Sequence, residues 1–80
     1  MAGFGLAQMS RHQNERRKII KWLETAVAKL RGESPYSLDV LDFWVRDDES
    51  HTVNITVAFA YSDGETELEY PFKDLIDATL

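Results

Sequence analysis

Residues 52–61 carry the clearest hydrophobic pattern in the chain. Val53, Ile55, Val57, Phe59 and Tyr61 alternate with Thr52, Asn54, Thr56, Ala58 and Ala60, the two-residue period of a strand covered on one face. Leu41, Phe43 and Val45 alternate in the same way with Asp42, Trp44 and Arg46, and Leu68 and Tyr70 with Glu65, Glu67 and Glu69. Three strands follow. Asp63-Gly64 accepts the positive φ angles of a two-residue hairpin turn, which pairs Phe59 with Leu68 and Val57 with Tyr70. The loop 47–51 pairs Val45 with Val53, Phe43 with Ile55 and Leu41 with Val57. Each core-side residue then faces another.

Ile19, Ile20, Leu23, Ala26, Val27 and Leu30 recur at three- and four-residue steps, the apolar stripe of a helix. Ser10 and Gln13 fit a capping box at its start. Gly32 supplies a left-handed stop, with Pro35 just beyond. The predicted helix spans 11–31, and its first two turns contain no apolar residue. At ~1.5 Å per residue it is about 31 Å long, against about 23 Å for a seven-residue strand. Its basic start therefore projects past the core. Phe72, Leu75, Ile76 and Leu80 after Pro71 predict a short closing helix. The expected architecture is a two-layer α+β fold of order α-β-β-β-α, a three-stranded antiparallel meander with both helices on one face. Residues 1–9 are expected to form a flexible tail, and 10–80 a single domain.

Composition narrows the class. The 80 residues are 44% hydrophobic and 29% charged, as in a globular chain, and include no cysteine. That excludes a disulfide framework and thiolate chemistry. No apolar run approaches the ~20 residues of a membrane span. The first nine residues have no secretory pattern, and Ala2 stands where myristoylation needs glycine. These readings predict a cytoplasmic protein with no membrane association.

Charge is divided unevenly. Residues 1–32 hold seven basic and two acidic side chains; residues 33–80 hold two basic and twelve acidic ones, within a net charge of −5. Either the halves neutralise each other or the charged surfaces face partners.

Catalytic chemistry is thinly represented. His12 and His51 are the only histidines. Ser50 and His51 are adjacent, but on a solvated turn that implies no oxyanion donors. Asp47, Asp48, Glu49 and His51 lack the ligand spacing and central glycine of a calcium loop. The expectation is a protein without catalytic residues, metal or cofactor. Double-stranded RNA-binding domains share the element order, but they begin their second helix with lysines, where this chain has Phe72-Lys73-Asp74-Leu75. The likeness stops at topology.

With unbroken alternation, the face of the sheet away from the helices carries Leu38, Val40, Trp44, Ala58 and Ala60, an uncovered apolar patch with an aromatic anchor. Glu65, Glu67 and Glu69 form an acidic row beside it. The expected function is that of a small acidic protein-interaction domain. Its most specific version is an inhibitor or adaptor of a nucleic-acid-handling complex, of the phage type. The partner-binding residues are Trp44, Leu38, Val40, Glu65, Glu67 and Glu69, with Arg16, Arg17 and Lys18 on the helix as a second contact. Two alternatives stand beside it: a nucleic-acid-binding protein that uses the basic helix, and a structural subunit that dimerises through the outer sheet face.

Overall fold

A computed structural model describes the backbone of residues 2–80 and the side chains of residues 14–80. The order is α1 (Ala2–Arg31), a 3-10 turn (Pro35–Ser37), β1 (Leu38–Val45), β2 (Thr52–Phe59), β3 (Glu65–Pro71) and α2 (Phe72–Ala78). The strands form one antiparallel sheet in the order β1-β2-β3. Leu23, Ala26 and Val27 of α1 and Leu75 of α2 are buried with Val53, Ile55, Val57 and Phe59 of β2. The fold is thus the expected α+β meander with a helical layer.

α1 does not start near Arg11; it runs from Ala2 through Ser10. Ala2, Leu6, Ala7, Gln8 and Met9 are strong helix formers, which accounts for a start upstream of the polar segment. The capping pair Ser10 and Gln13 and the tail 1–9 lie outside the residues whose side chains are described. The stop is where glycine was expected. Gly32 has φ +69; its N–H donates to the Lys29 carbonyl (3.2 Å) and that of Glu33 to the Ala28 carbonyl (2.8 Å). This pair of bonds is a Schellman closure.

β1 departs from simple alternation. Val45 pairs with Val53 and Phe43 with Ile55 as expected, but the register slips between Val40 and Asp42. Val57 therefore faces Val40 and not Leu41, and Phe59 faces Leu38. Leu38 and Val40 turn into the core at 2% and 5% exposure, while Leu41 is left 46% exposed. The cause lies in the phase of the apolar residues. Leu38 and Val40 are even-numbered; Leu41, Phe43 and Val45 are odd. An unbroken strand would leave Leu38 and Val40 in water, at about 1.5–3 kcal/mol each. One extra residue at the slip, Leu41, lets Leu38 and Val40 share the inner face with Phe43 and Val45.

The second hairpin differs too. β2 and β3 pair Val53 with Tyr70, Ile55 with Leu68 and Val57 with Thr66, so the connection is residues 60–64 and not Asp63-Gly64 alone. The register is displaced by an even number of residues, which keeps every side chain on its expected face. Residues 60 and 61 are held by the segment between α1 and β1 instead. The Ala60 N–H donates to the Ser37 carbonyl (2.8 Å). The Tyr61 hydroxyl donates to Glu33 (2.7 Å), and its ring stacks on Phe59 at 5.2 Å. Gly64 still turns the chain, with φ +84.

α2 docks on α1 through Trp22, whose indole N–H donates to the Thr79 hydroxyl (3.2 Å) and whose ring lies 6.0 Å from that of Phe72. The helix ends at Ala78, so Leu80 lies beyond it, 92% exposed.

Candidate functional site

The slip in β1 decides what the outer sheet face carries. Reading across the ladders, Asp39, Ala58 and Glu65 form one row, Asp42, Thr56 and Glu67 the next, and Trp44, Asn54 and Glu69 the third. Strand neighbours stand ~4.8 Å apart and successive rows about 6.8 Å apart. Asp39 takes the position expected for Val40. Leu38 and Val40, both read as partner-binding, are core residues, because burying them outweighs keeping the ladder regular. The patch is therefore acidic where it was expected to be apolar.

Trp44 is on this face and 55% exposed. Glu65, Glu67 and Glu69 are exposed and aligned, as their spacing implied. Glu69 is engaged locally: it accepts from Asn54 Nδ2 (2.9 Å) and lies 3.8 Å from Arg46 Nη1. Asn54 Oδ1 is buried with no hydrogen-bond partner among the described residues. Arg46 is the only basic residue between positions 33 and 72, so the field over the sheet is negative.

Among the described residues, the basic helix end meets this face at its rim, through Asp42. Arg16, Arg17 and Lys18 are exposed on α1, which packs on the opposite side of the sheet. Arg16 reaches the free edge of β1, where its guanidinium donates to Asp42 and sits 4.7 Å above the Phe43 ring. The two charged regions thus meet at Asp42, the outer-row carboxylate that Arg16 already neutralises. Among the described residues, this is the ion pair that joins helix to sheet.

Carboxylates also occupy the free edge of β1. Glu24 Oε2 accepts the Val40 N–H (2.9 Å), and Asp42 Oδ1 the N–H of Phe43 (2.9 Å). An edge whose donors are taken this way is a poor template for strand addition. The other edge ends in Pro71, which has no N–H to offer.

The loop 47–51 folds on itself. Asp48 accepts from the Ser50 hydroxyl and N–H, and Arg46 lies 3.2 Å away. These contacts, the Ser50 hydroxyl first, hold the Asp48 carboxyl below its ordinary pKa. The Ser50 hydroxyl is thus committed to Asp48 and not to His51, which takes a left-handed φ of 51°. Among the described residues no three carboxylate or imidazole groups converge as metal ligands. Near Gly32, Arg31 donates to Glu33 at 2.8 Å while stacking 4.6 Å over Phe59. That hydrogen bond and the one from Tyr61 hold the Glu33 carboxyl below its ordinary pKa.

One feature escaped sequence reasoning. The helical side of the sheet has an open apolar cavity of about 390 Å³ lined by Ile19, Trp22, Leu23, Phe43, Val45, Val53 and Phe72. Val45, expected in the core, is 59% exposed there, with Phe72 at 46% and Ile19 at 43%. The signal was present in the polar stretch 14–18 of α1, just before Ile19, which offers the end of β1 no aliphatic lid.

No family model matches the chain, and neither do any of the curated proteins or solved structures with which it was compared. Among the described residues, no helix is long and apolar enough to cross a membrane.

Proposed function

We propose that this chain is a small non-catalytic protein-interaction domain whose outer sheet face docks on a basic surface of a partner protein. The observation that supports it most is the grid of Asp39, Glu65, Glu67 and Glu69 around Thr56 and Ala58, with Trp44 exposed at one end. Rigid strands hold these carboxylates at fixed spacing, so a complementary cationic surface meets them with little ordering cost. Trp44 supplies the apolar anchor that charge alone lacks. A groove built for phosphates is one such cationic surface. The most specific form of the reading is therefore an inhibitor or adaptor of a nucleic-acid-handling complex. Complementary charge of this kind acts chiefly on association rate and partner choice.

The test compares outer-face variants with a charge-matched control. Glu65→Gln/Glu67→Gln and Trp44→Ala alter the outer face; Asp74→Asn/Asp77→Asn removes the same charge from α2. Partners are captured from cell extract and quantified for each. The reading requires a protein lost with the outer-face variants and retained with the α2 variant. That protein must bind the purified chain directly, at least tenfold more weakly after Trp44→Ala. Identical capture by all variants refutes the reading, as does binding only to nucleic acid.

A further inference from the structure

We infer that the apolar cavity on the helical side is a homodimer interface, occupied by the same surface of a second copy of this chain. The walls are wholly apolar, and Val45, Phe72 and Ile19 expose about half of their surface there. Such a surface gains most by being covered. The charges beside it identify what covers it.

On the α1 side, residues 14–18 (Asn14, Glu15, Arg16, Arg17, Lys18) lead into Ile19 and carry three basic side chains and one acidic. The loop 47–51, one residue beyond Val45, carries three acidic side chains, Asp47, Asp48 and Glu49, and no lysine or arginine. The flanks are opposite in sign, and with Arg16 held by Asp42 the free cations are Arg17 and Lys18. A two-fold axis through the cavity carries each flank onto the other. The cationic α1 segment of one copy then lies over the anionic loop of its partner, and the reverse contact forms at the same time. Apolar walls meet apolar walls at the axis. A partner of uniform charge would be repelled by one flank, whereas a second copy satisfies both.

The inference is independent of the outer face, which lies on the other side of the sheet. Sedimentation equilibrium from ~10 μM to ~1 mM tests it, since association must depend on protomer concentration. The expected result is twice the chain mass at the upper end. Val45→Glu places a charge on an already exposed position, so the monomer still folds, as circular dichroism will verify; dimerisation should weaken at least 100-fold. Lys18→Glu and Asp47→Lys should each weaken it several-fold. Together they restore it, because the exchanged charges meet across the axis. Trp44→Ala leaves it unchanged, which separates this interface from the outer face. A chain that stays monomeric at ~1 mM overturns the inference. So does a dimer indifferent to Val45→Glu, or a charge exchange that fails to restore association.

Discussion

Replacing Leu38 and Leu41 separately by alanine distinguishes the slipped β1 ladder from a regular one. In the slipped ladder Leu38 is 2% exposed and packs opposite Phe59, whereas Leu41 is 46% exposed and has no cross-strand partner. Truncating a buried leucine costs about 2–5 kcal/mol, through lost transfer energy and the cavity left behind. Leu38 stands at a strand start where the 3-10 turn can relax, so about 3 kcal/mol is expected. Leu41 has already left about half of its surface in water, and its truncation should cost under about 1 kcal/mol. An 80-residue domain has roughly 4–12 kcal/mol in total, so Leu38→Ala consumes a large share. With about 4–8 °C per kcal/mol for a domain of this size, melting should fall by about 12–24 °C for Leu38→Ala and by only a few degrees for Leu41→Ala. Urea unfolding followed by circular dichroism gives the same ranking, provided the denaturant slope is unchanged between variants. A regular ladder makes the opposite forecast, with Leu41 as the core residue. Equal losses, or a larger loss for Leu41→Ala, would refute the slip and with it the acidic character of the outer face.

Three further outcomes follow from single contacts. Glu24→Ala leaves the half-buried Val40 N–H without its acceptor and should cost about 1–2 kcal/mol; Glu24→Gln keeps a side-chain oxygen and should cost less than half as much in urea unfolding. Thr79→Val removes the acceptor of the Trp22 indole, so amide exchange in α2 should accelerate well before that of β2; equal acceleration in both elements would contradict the docking role of Trp22. The Glu33 carboxyl titrates below its ordinary value because Arg31 and Tyr61 donate to its charged form. Its contribution to stability is therefore present above the unfolded carboxylate pKa and is lost as pH falls through the lowered folded value. In Tyr61→Phe, carboxyl-detected NMR titration should find Glu33 moved back towards the ordinary value, and an unmoved titration would show that the Tyr61 bond does not matter.

The elements were legible in the sequence because each rests on local chemistry. The alternation from Val53 to Phe59 needed no tertiary information, and Gly32 was marked as a stop by its left-handed freedom and by Pro35 just beyond. What was misread depended on competition between elements. Val40-Leu41 is an apolar pair across a change of phase, and the pair itself signals a slip. Glu24, sixteen residues earlier, offsets part of its cost by accepting the Val40 N–H. Asp63-Gly64 is a genuine turn signal, yet Tyr61 finds a better partner in Glu33 than in β3, and the loop lengthens to accommodate it. Leu38 and Val40 were assigned to the surface for the same reason: their side depended on one residue of register. The cavity beside Val45 was hidden because apolar alternation reports which side a residue faces, and not whether the helix above it carries an apolar side chain to cover it.

The slip also changes what each face can bind. By drawing Leu38 and Val40 inward, it puts Asp39 beside Ala58 and Glu65 and leaves the outer face acidic apart from Trp44 and Arg46. On the helical side, Ile19, Val45 and Phe72 leave an apolar surface exposed around the cavity. The two surfaces lie on opposite sides of the sheet, so occupation of one does not obstruct the other. Two-fold association through the cavity would direct both acidic faces outward, and one dimer could then engage two cationic sites at once. Joining two sites on a rigid body raises avidity only when their separation matches that of the targets. A Val45→Glu monomer that keeps its single-site affinity should therefore bind a repeated cationic target more weakly than the native dimer, and a single-site target equally well. Equal binding of monomer and dimer to the repeated target would show that the two faces act separately and that dimerisation serves the fold alone.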